Sequence, residues 1–182
     1  MIHPDKLFGR LGNRMFQMAF LYAYAKETGI DIYFQDPYYF EKYKDEIKVL
    51  FSQGIVPINQ VGIHVRRGDY VNNPFYVDLS QTSYYEEAMA LFPGEKFLVF
   101  SDNIDWCKQQ PIFEGCEFSE SNDEITDINL MAGCKHQIIA NSSFSWWAAF
   151  LNPNKTKKVV YPSRWYTDGI ERTVCPEEWV KL

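Results

Sequence analysis

Short apolar runs of strand type alternate along this chain with segments of helical periodicity, and this alternation constrains the fold more than any other feature. An order of strand, helix and strand predicts parallel strands, because each connection must cross a face of the sheet. The sequence therefore predicts an α/β fold with a parallel sheet and helices on both faces. The strand-type runs begin at residues 61, 96, 136 and 157, and the helical patterns between them begin at Tyr84, Asn103, Glu124 and Ser143.

A further helix is predicted near the amino terminus. The stretch NRMFQMAFLYAYAKETG spaces apolar residues at three- and four-residue steps and reaches Gly29, where a helix would stop. The stretch between Gly29 and Val61 is rich in aromatic and charged residues and predicts no helix or strand. At 182 residues the chain is expected to form one domain, or one domain with an appendage, around a sizeable core.

Composition and charge exclude several classes of function. The formal net charge is −6, so no broad basic face for nucleic acid is expected, and prominent arginines must act locally on a small anionic ligand. No signal-peptide pattern and no apolar run of membrane-spanning length is found. The cysteines lack a CxxC pair or a histidine at metal-ligand spacing, which argues against zinc and indicates reduced thiols. These features predict a cytoplasmic protein, with a peripheral position at the inner membrane face as the alternative.

The stretch VGIHVRRGDYV, residues 61–71, places cationic side chains at the end of a predicted strand. Because alternate residues of a strand share a face, His64 and Arg66 point one way and Arg67 the other. Ligands of α/β sheets collect outside the carboxyl ends of strands, and a planar guanidinium suits a phosphate. His64 and Arg66 are therefore candidate ligand-binding residues, and an ion pair with Asp69 at the strand end is the structural alternative for Arg66. Arg67 and Asp69 are interpreted as structural, pairing with each other or holding the turn at Gly68.

Two helix starts are candidate anion sites. The stretch GRLGNRMF, residues 9–16, has glycines and an asparagine in a loop before a predicted helix. The stretch NSSFSWW, residues 141–147, places Ser142 and Ser143 between a strand and a helix. Helix amino termini attract anions through unpaired amides and the helix dipole. The alternatives are an ordinary glycine before a helix and ordinary serine N-caps.

Four motifs together carry a resemblance to a known family. The stretches GRLGNRMFQMA, IHVRRGDYV, FLVFSDN and DINLMAGCKHQIIANSSFSWWAAFLN occur in this order. In that order they resemble the alpha-1,2-fucosyltransferases of glycosyltransferase family 11. The resemblance implies a GT-B-type enzyme that transfers fucose from GDP-fucose to a glycan hydroxyl with inversion. It also implies that residues 61–182 form a Rossmann-like domain that binds the GDP-sugar, and that residues 1–60 form a shortened amino-terminal segment with a diphosphate-facing loop.

The resemblance also implies roles for particular residues. Arg66 would hold the β-phosphate of the departing GDP, and His64 would line the nucleotide pocket; these two are the expected catalytic residues. Asp127 would accept hydrogen bonds from guanine, while the serines and Asn13 would face the phosphates. The donor-binding residues implied in this way are Gly9, Arg10, Gly12, Asn13, His64, Arg66, Asp102, Asp127, Ser142 and Ser143.

No metal is expected, because the chain has no DxD motif and an arginine with helix dipoles would neutralise the leaving group instead. The family has a long acceptor-side segment where this chain has only about fifty residues between Asn13 and His64. Two hypotheses follow: a fucosyltransferase that uses an oligosaccharide acceptor, or a GDP-binding relic without an acceptor site. No general base is identified. A homodimer formed through ring-rich residues 30–60 is a further expectation.

Overall fold

A six-stranded, all-parallel sheet forms the centre of the protein. The computed structural model describes residues 7–27, 43–52, 54–121, 123–170 and 175–182. The predicted α/β fold with a Rossmann-like parallel sheet is confirmed. In chain order the strands are β1 (Ile58–Val65), β2 (Phe97–Ser101), β3 (Glu117–Phe118), β4 (Cys134–Ile138), β5 (Val159–Tyr161) and β6 (Val180–Lys181).

Helices cover both faces of the sheet. Those predicted from the sequence are present, whereas α2 and the two-residue strands β3 and β6 were not predicted. Among the described residues α1 ends at Glu27, and Gly29 lies outside them. The helices are α1 (Leu11–Glu27), α2 (Lys44–Phe51), α3 (Tyr84–Ala90), α4 (Ile104–Lys108), α5 (Glu124–Gly133) and α6 (Ser143–Leu151).

The strand order reverses between β1 and β4. The order across the sheet is β3-β2-β1-β4-β5-β6, so the chain builds outward from β1 in one direction and then returns to build outward in the other. Parallel register pairs Ile63 of β1 with Val99 of β2 and with Ile138 of β4. Connections diverge at such a reversal and leave a crevice outside the carboxyl ends of the two central strands.

Each face of the sheet has its own core. Trp146 and Trp147 of α6 are fully buried, together with residues of α1, α2 and α5. The interpretation of these tryptophans as core residues is confirmed. On the opposite face, α3 and α4 pack against alternate residues of β1, including Ile63 and Val65. Because α1 packs against α6, the described part of the amino-terminal segment shares a core with the sheet.

The described helices include none that is long and apolar enough to cross a membrane. The division of the chain at residue 60 stays a prediction, and β1 begins slightly before it, at Ile58. Most of the ring-rich stretch assigned to a dimer contact lies outside the described residues, since residues 28–42 are not described. The dimer also stays a prediction.

Candidate functional site

One cavity of about 600 Å³ lies along the carboxyl edge of the sheet. It opens at the crevice between β1 and β4, where the strand order reverses. A volume of this size falls within the usual range for small-molecule sites. Every donor-binding residue expected from the sequence lines this one cavity, although the roles assigned to them stay predictions: Gly9, Arg10, Gly12, Asn13, His64, Arg66, Asp102, Asp127, Ser142 and Ser143.

Arg66 lies at the centre of the cavity, directly after β1. Its side chain is only 8% exposed, and two carboxylates hold it: Asp102, at 2.5 Å from Nη1, and Asp69. Asp102 is itself fixed, because its other oxygen accepts a hydrogen bond from the backbone amide of Arg67 at 2.9 Å. Gly68 makes this arrangement possible, since a Cβ there would lie 2.4 Å from the Asp102 carboxylate. The guanidinium is therefore fixed in orientation before any ligand arrives.

Arg67 points away from the cavity, as the strand alternation predicts. It pairs with Asp78 at 3.2 Å, donates to the hydroxyl of Ser80, and lies 3.9 Å from the centroid of the Trp106 ring. The structural role is thus supported, but the predicted pairing of Arg67 with Asp69 is wrong. Asp69 pairs with Arg66 instead, because the turn after Arg67 brings its carboxylate back to the cavity side.

His64 contributes a neutral imidazole to the cavity wall. The residue is only 4% exposed. Burial, followed by the charges of Arg66 and Arg10, lowers its pKa from 6.5 to about 3. The ring lies 5.2 Å from that of Phe144, and Nδ1 is buried without a hydrogen-bond partner among the described residues. A neutral imidazole offers a hydrogen bond to a ligand at pH 7 but no positive charge.

The amino termini of α1 and α6 meet beside Arg66. A Cβ on Gly12 would lie 2.5 Å from the backbone carbon of Ser143, so only glycine permits this approach. The Ser143 hydroxyl donates to Asn13 Oδ1 at 2.7 Å. The side chain of Ser142, the N-cap of α6, makes no capping hydrogen bond. Two positive helix ends therefore converge on one point of the cavity.

The loop prediction for the amino-terminal motif is wrong in one respect. Helix α1 begins at Leu11, so Gly12 and Asn13 lie in its first turn and not in a preceding loop. Gly9, with a φ of +81°, forms the turn that leads into the helix. Glycine is a poor helix former, but a larger residue at position 12 would clash with the start of α6.

An acidic end of the cavity lies beyond β3. Asp127, in the first turn of α5, accepts a hydrogen bond from Ser119 at 2.6 Å, and burial raises its pKa. Asp123 caps the same helix through the Thr126 amide at 2.8 Å. Glu124 pairs with Arg10 at 3.0 Å. We call Asp123, Glu124 and Asp127 the acidic end.

The opposite end of the cavity is an aromatic wall, which we define as Tyr70, Tyr76, Trp165 and Tyr166. The Tyr70 and Tyr76 rings stack at 3.9 Å between centroids, and Tyr76 lies 5.7 Å from Tyr166. The buried carboxamide of Asn141 donates to the backbone carbonyls of Val77 and Trp165, both at 2.9 Å.

The aromatic wall and the role of Asn141 were not predicted from the sequence. The only available signal was the 17% aromatic content, which favours a ring-lined cleft and an ordinary core alike. Within the described ranges, no cluster of three or more His, Cys, Asp or Glu side chains could hold a metal ion.

The fold and cavity define a parallel α/β protein with a cavity at the reversal of its strand order, lined by Arg66 and by the starts of two helices. The family model described as Glycosyl transferase family 11 matches residues 17–182. The chain belongs to this family.

Curated relatives agree with this assignment. An alpha-1,2-colitosyltransferase of Escherichia coli is 33% identical, over 82% of this chain and 61% of its own length. The O-antigen biosynthesis glycosyltransferase WbnK of Escherichia coli is 31% identical, over 82% of this chain and 59% of its own. The galactoside alpha-(1,2)-fucosyltransferase 2 of Sus scrofa is 29% identical, over 64% and 38%. The chain thus spans less than two thirds of the length of each of these relatives, and no solved structure matches it significantly.

Proposed function

We propose that this protein transfers fucose from GDP-fucose to a hydroxyl of a glycan, forming an alpha-1,2 linkage with inversion and without a metal ion. The observation that carries the proposal is the position of Arg66. Its guanidinium lies in the cavity, at the strand reversal, beside the amino termini of α1 and α6. Family membership and the names of the relatives support the choice of reaction.

The arrangement around Arg66 suits the departure of a nucleoside diphosphate. Cleavage of the bond between the sugar and the phosphate leaves a negative charge on the β-phosphate. Groups fixed in place before the reaction stabilise that charge more than they stabilise the bound substrate, which lowers the barrier. Asp102 fixes Arg66 from the buried side, whereas Asp69 is 65% exposed. The incoming phosphate would therefore take the place of Asp69 on the guanidinium.

The acidic end suits the guanine base. The base presents a ring N–H and an exocyclic amino group on one edge, and both are hydrogen-bond donors. Asp127 uses one carboxylate oxygen to accept from Ser119, and it retains further acceptor capacity for such an edge. Uracil lacks the amino group, so this contact would favour GDP over UDP.

A second candidate function follows from the short spacing between Asn13 and His64, where the family resemblance implies a long acceptor-side segment. A protein with the donor cavity but no acceptor site would bind GDP-fucose without transferring the sugar. Both functions require the cavity, so nucleotide binding alone does not separate them.

Calorimetry with GDP, followed by transfer of labelled sugar to galactose-terminated oligosaccharides, tests the proposal. GDP-fucose and GDP-colitose should be compared as donors, because one relative is named for colitose. We expect GDP binding and fucose transfer, both unchanged by a chelator. Binding without transfer to any acceptor would select the second function, and a strict metal requirement would contradict the proposed chemistry. Failure to bind GDP would refute both functions.

A further inference from the structure

The aromatic wall adjoins the proposed diphosphate position directly. The guanidinium of Arg66 lies 5.1 Å from the centroid of the Tyr70 ring. Tyr70 stacks on Tyr76, which in turn contacts Tyr166. Tyr70, the first residue of the wall, is therefore adjacent to the guanidinium proposed to bind phosphate.

The order of strands places the wall on the side opposite the acidic end. Asp127 follows β3, Arg66 follows β1, and Tyr166 follows β5. In the sheet, β1 lies between β3 and β5, which are about 19 Å apart at the usual spacing of strands. A nucleotide sugar is ordered as base, ribose, two phosphates and sugar. With the base at Asp127 and the diphosphate at Arg66, the sugar continues in the same direction onto the wall.

The wall consists of four aromatic side chains, and none of them is a carboxylate or a cationic group. All four of its side chains are half-buried and line the cavity. Burial raises the pKa of Tyr70 and of Tyr76, so both phenols are neutral at physiological pH. Aromatic faces pack well against carbon-bound hydrogens, whereas a hydroxyl pressed against them loses its hydrogen bonds to water.

The wall is a fixed surface. Its two segments are joined by an antiparallel bridge between Tyr76 and Tyr166. Asn141, which follows β4, ties both segments to the end of the central sheet through Val77 and Trp165. A fixed surface can distinguish two sugars that differ in one group, because it does not rearrange to fit both.

We propose that the aromatic wall is the donor-sugar subsite and that it selects a 6-deoxyhexose, by contact with the C6 methyl group, over the same hexose with a C6 hydroxyl. This inference rests on the proposed function, since it takes the donor to be a GDP-sugar. Tyr76, the central ring of the wall, is its main specificity-determining residue.

The matched ligands are GDP-L-fucose and GDP-L-galactose, whose sugars differ only in the C6 hydroxyl. Calorimetry should compare both with GDP on the wild type and on Tyr76→Ala, Tyr76→Phe and Phe75→Ala. Phe75 is the control because it is 44% exposed and packs on Tyr76 and Tyr166 at 5.1 and 5.0 Å without lining the cavity. If Tyr76→Ala fails to fold, Tyr166→Ala removes a ring of the wall from the other segment.

We expect the wild type, Tyr76→Phe and Phe75→Ala to prefer GDP-L-fucose by about 10- to 100-fold. Tyr76→Ala should lose most of this preference while its affinity for GDP stays the same. Equal affinity of the wild type for the two GDP-sugars would overturn the inference. It would also be overturned if Tyr76→Ala lost as much affinity for GDP as it lost for GDP-L-fucose. In both cases the wild type would still bind GDP, so the proposed function would stand. A wild type that binds no GDP would refute the proposed function itself.

Discussion

The two ends of the cavity are built in different ways. The acidic end comes from one short stretch of chain, in which a helix start presents Asp123, Glu124 and Asp127 together. The aromatic wall comes from two stretches about ninety residues apart in sequence, residues 70–76 and 165–166, held in place by Asn141. The first end offers directional hydrogen bonds, whereas the second offers shape and apolar surface. A nucleotide sugar in the proposed orientation would therefore meet groups from one short stretch of chain at its base and a surface assembled by tertiary structure at its sugar.

Removal of Arg66 should have the largest effect on ligand affinity, because this residue lies between the two ends and is proposed to bind the diphosphate that joins the base to the sugar. Arg66→Ala should weaken GDP binding by about 3 kcal/mol or more, which is over 100-fold in Kd, since the phosphates would lose a buried, charge-assisted partner. Calorimetry measures the affinity, and a thermal unfolding curve checks the fold. Lys108→Ala is the control, because Lys108 is a cation in a surface pair with Glu120, outside the cavity. Unchanged affinity in Arg66→Ala would remove the phosphate assignment.

Removal of Asp127 should affect the acidic end alone. Asp127→Ala should reduce the preference for GDP over UDP by about 10- to 100-fold, because a carboxylate that accepts from two donors of a base contributes about 1–3 kcal/mol to discrimination. Competition binding with the two nucleotides measures the preference. Asp105→Asn is the control, since it removes an exposed carboxylate that does not line the cavity. A preference that survives in Asp127→Ala would place the base elsewhere.

The pH dependence of stability tests whether water reaches His64, which lies between the two ends of the cavity. Its pKa is lowered to about 3 in the folded protein but lies near 6.5 when unfolded. The unfolded chain therefore binds a proton that the folded protein does not, and stability falls as pH drops from 6.5 towards 3. The loss approaches about 1.4 kcal/mol per pH unit, or about 2 kcal/mol between pH 6.5 and pH 5.

Urea unfolding at pH 7 and pH 5 measures this loss for the wild type and for His64→Phe, which retains a ring but cannot titrate. The carboxylates are common to both proteins and cancel in the comparison. An equal loss of stability in the two proteins would mean that water reaches the imidazole in the folded state.

Replacement of Asp69 should have the smallest effect, on the side of the aromatic wall. Asp69→Asn should strengthen GDP binding by up to about fivefold, because an exposed carboxylate that competes for Arg66 contributes about 1 kcal/mol at most. Glu120→Gln, in another surface pair, serves as the control. Weaker binding in Asp69→Asn would show that Asp69 orients Arg66 for the ligand and does not compete with it.

Much of the fold could be predicted, because the central strands are buried on both faces and appear in the sequence as apolar runs. Strands β3 and β6 were missed since each is only two residues long and lies at an edge of the sheet. Such strands depend on pairing with a neighbour rather than on a pattern of their own. Met18 shows the same limit in a helix: it fits the periodic spacing of α1 but is 48% exposed, because α6 covers a face centred on Phe16 and Ala19.

The polar part of the site was predictable for a different reason. Arg66 and the serines belong to short motifs whose chemistry can be recognised in sequence, whereas Asp127 was expected only from the family resemblance. The structure brings all of them to one cavity. The partner of Asp69 could not be predicted, because the turn at Gly68 decides which arginine its carboxylate reaches. The aromatic wall could not be predicted either, since Tyr70, Tyr76 and Tyr166 meet only through tertiary structure.

The contact of Gly12 with the start of α6 has a consequence for the order of folding. The hydrogen bond from Ser143 to Asn13 joins positions 130 residues apart. The corner formed by the two helix starts is therefore complete only after this long-range contact has formed. Contacts of such long range carry a high entropic cost and form slowly. An anion that touches both helix starts would bind only the fully closed protein, and would hold its amino-terminal helix against the sheet by mass action.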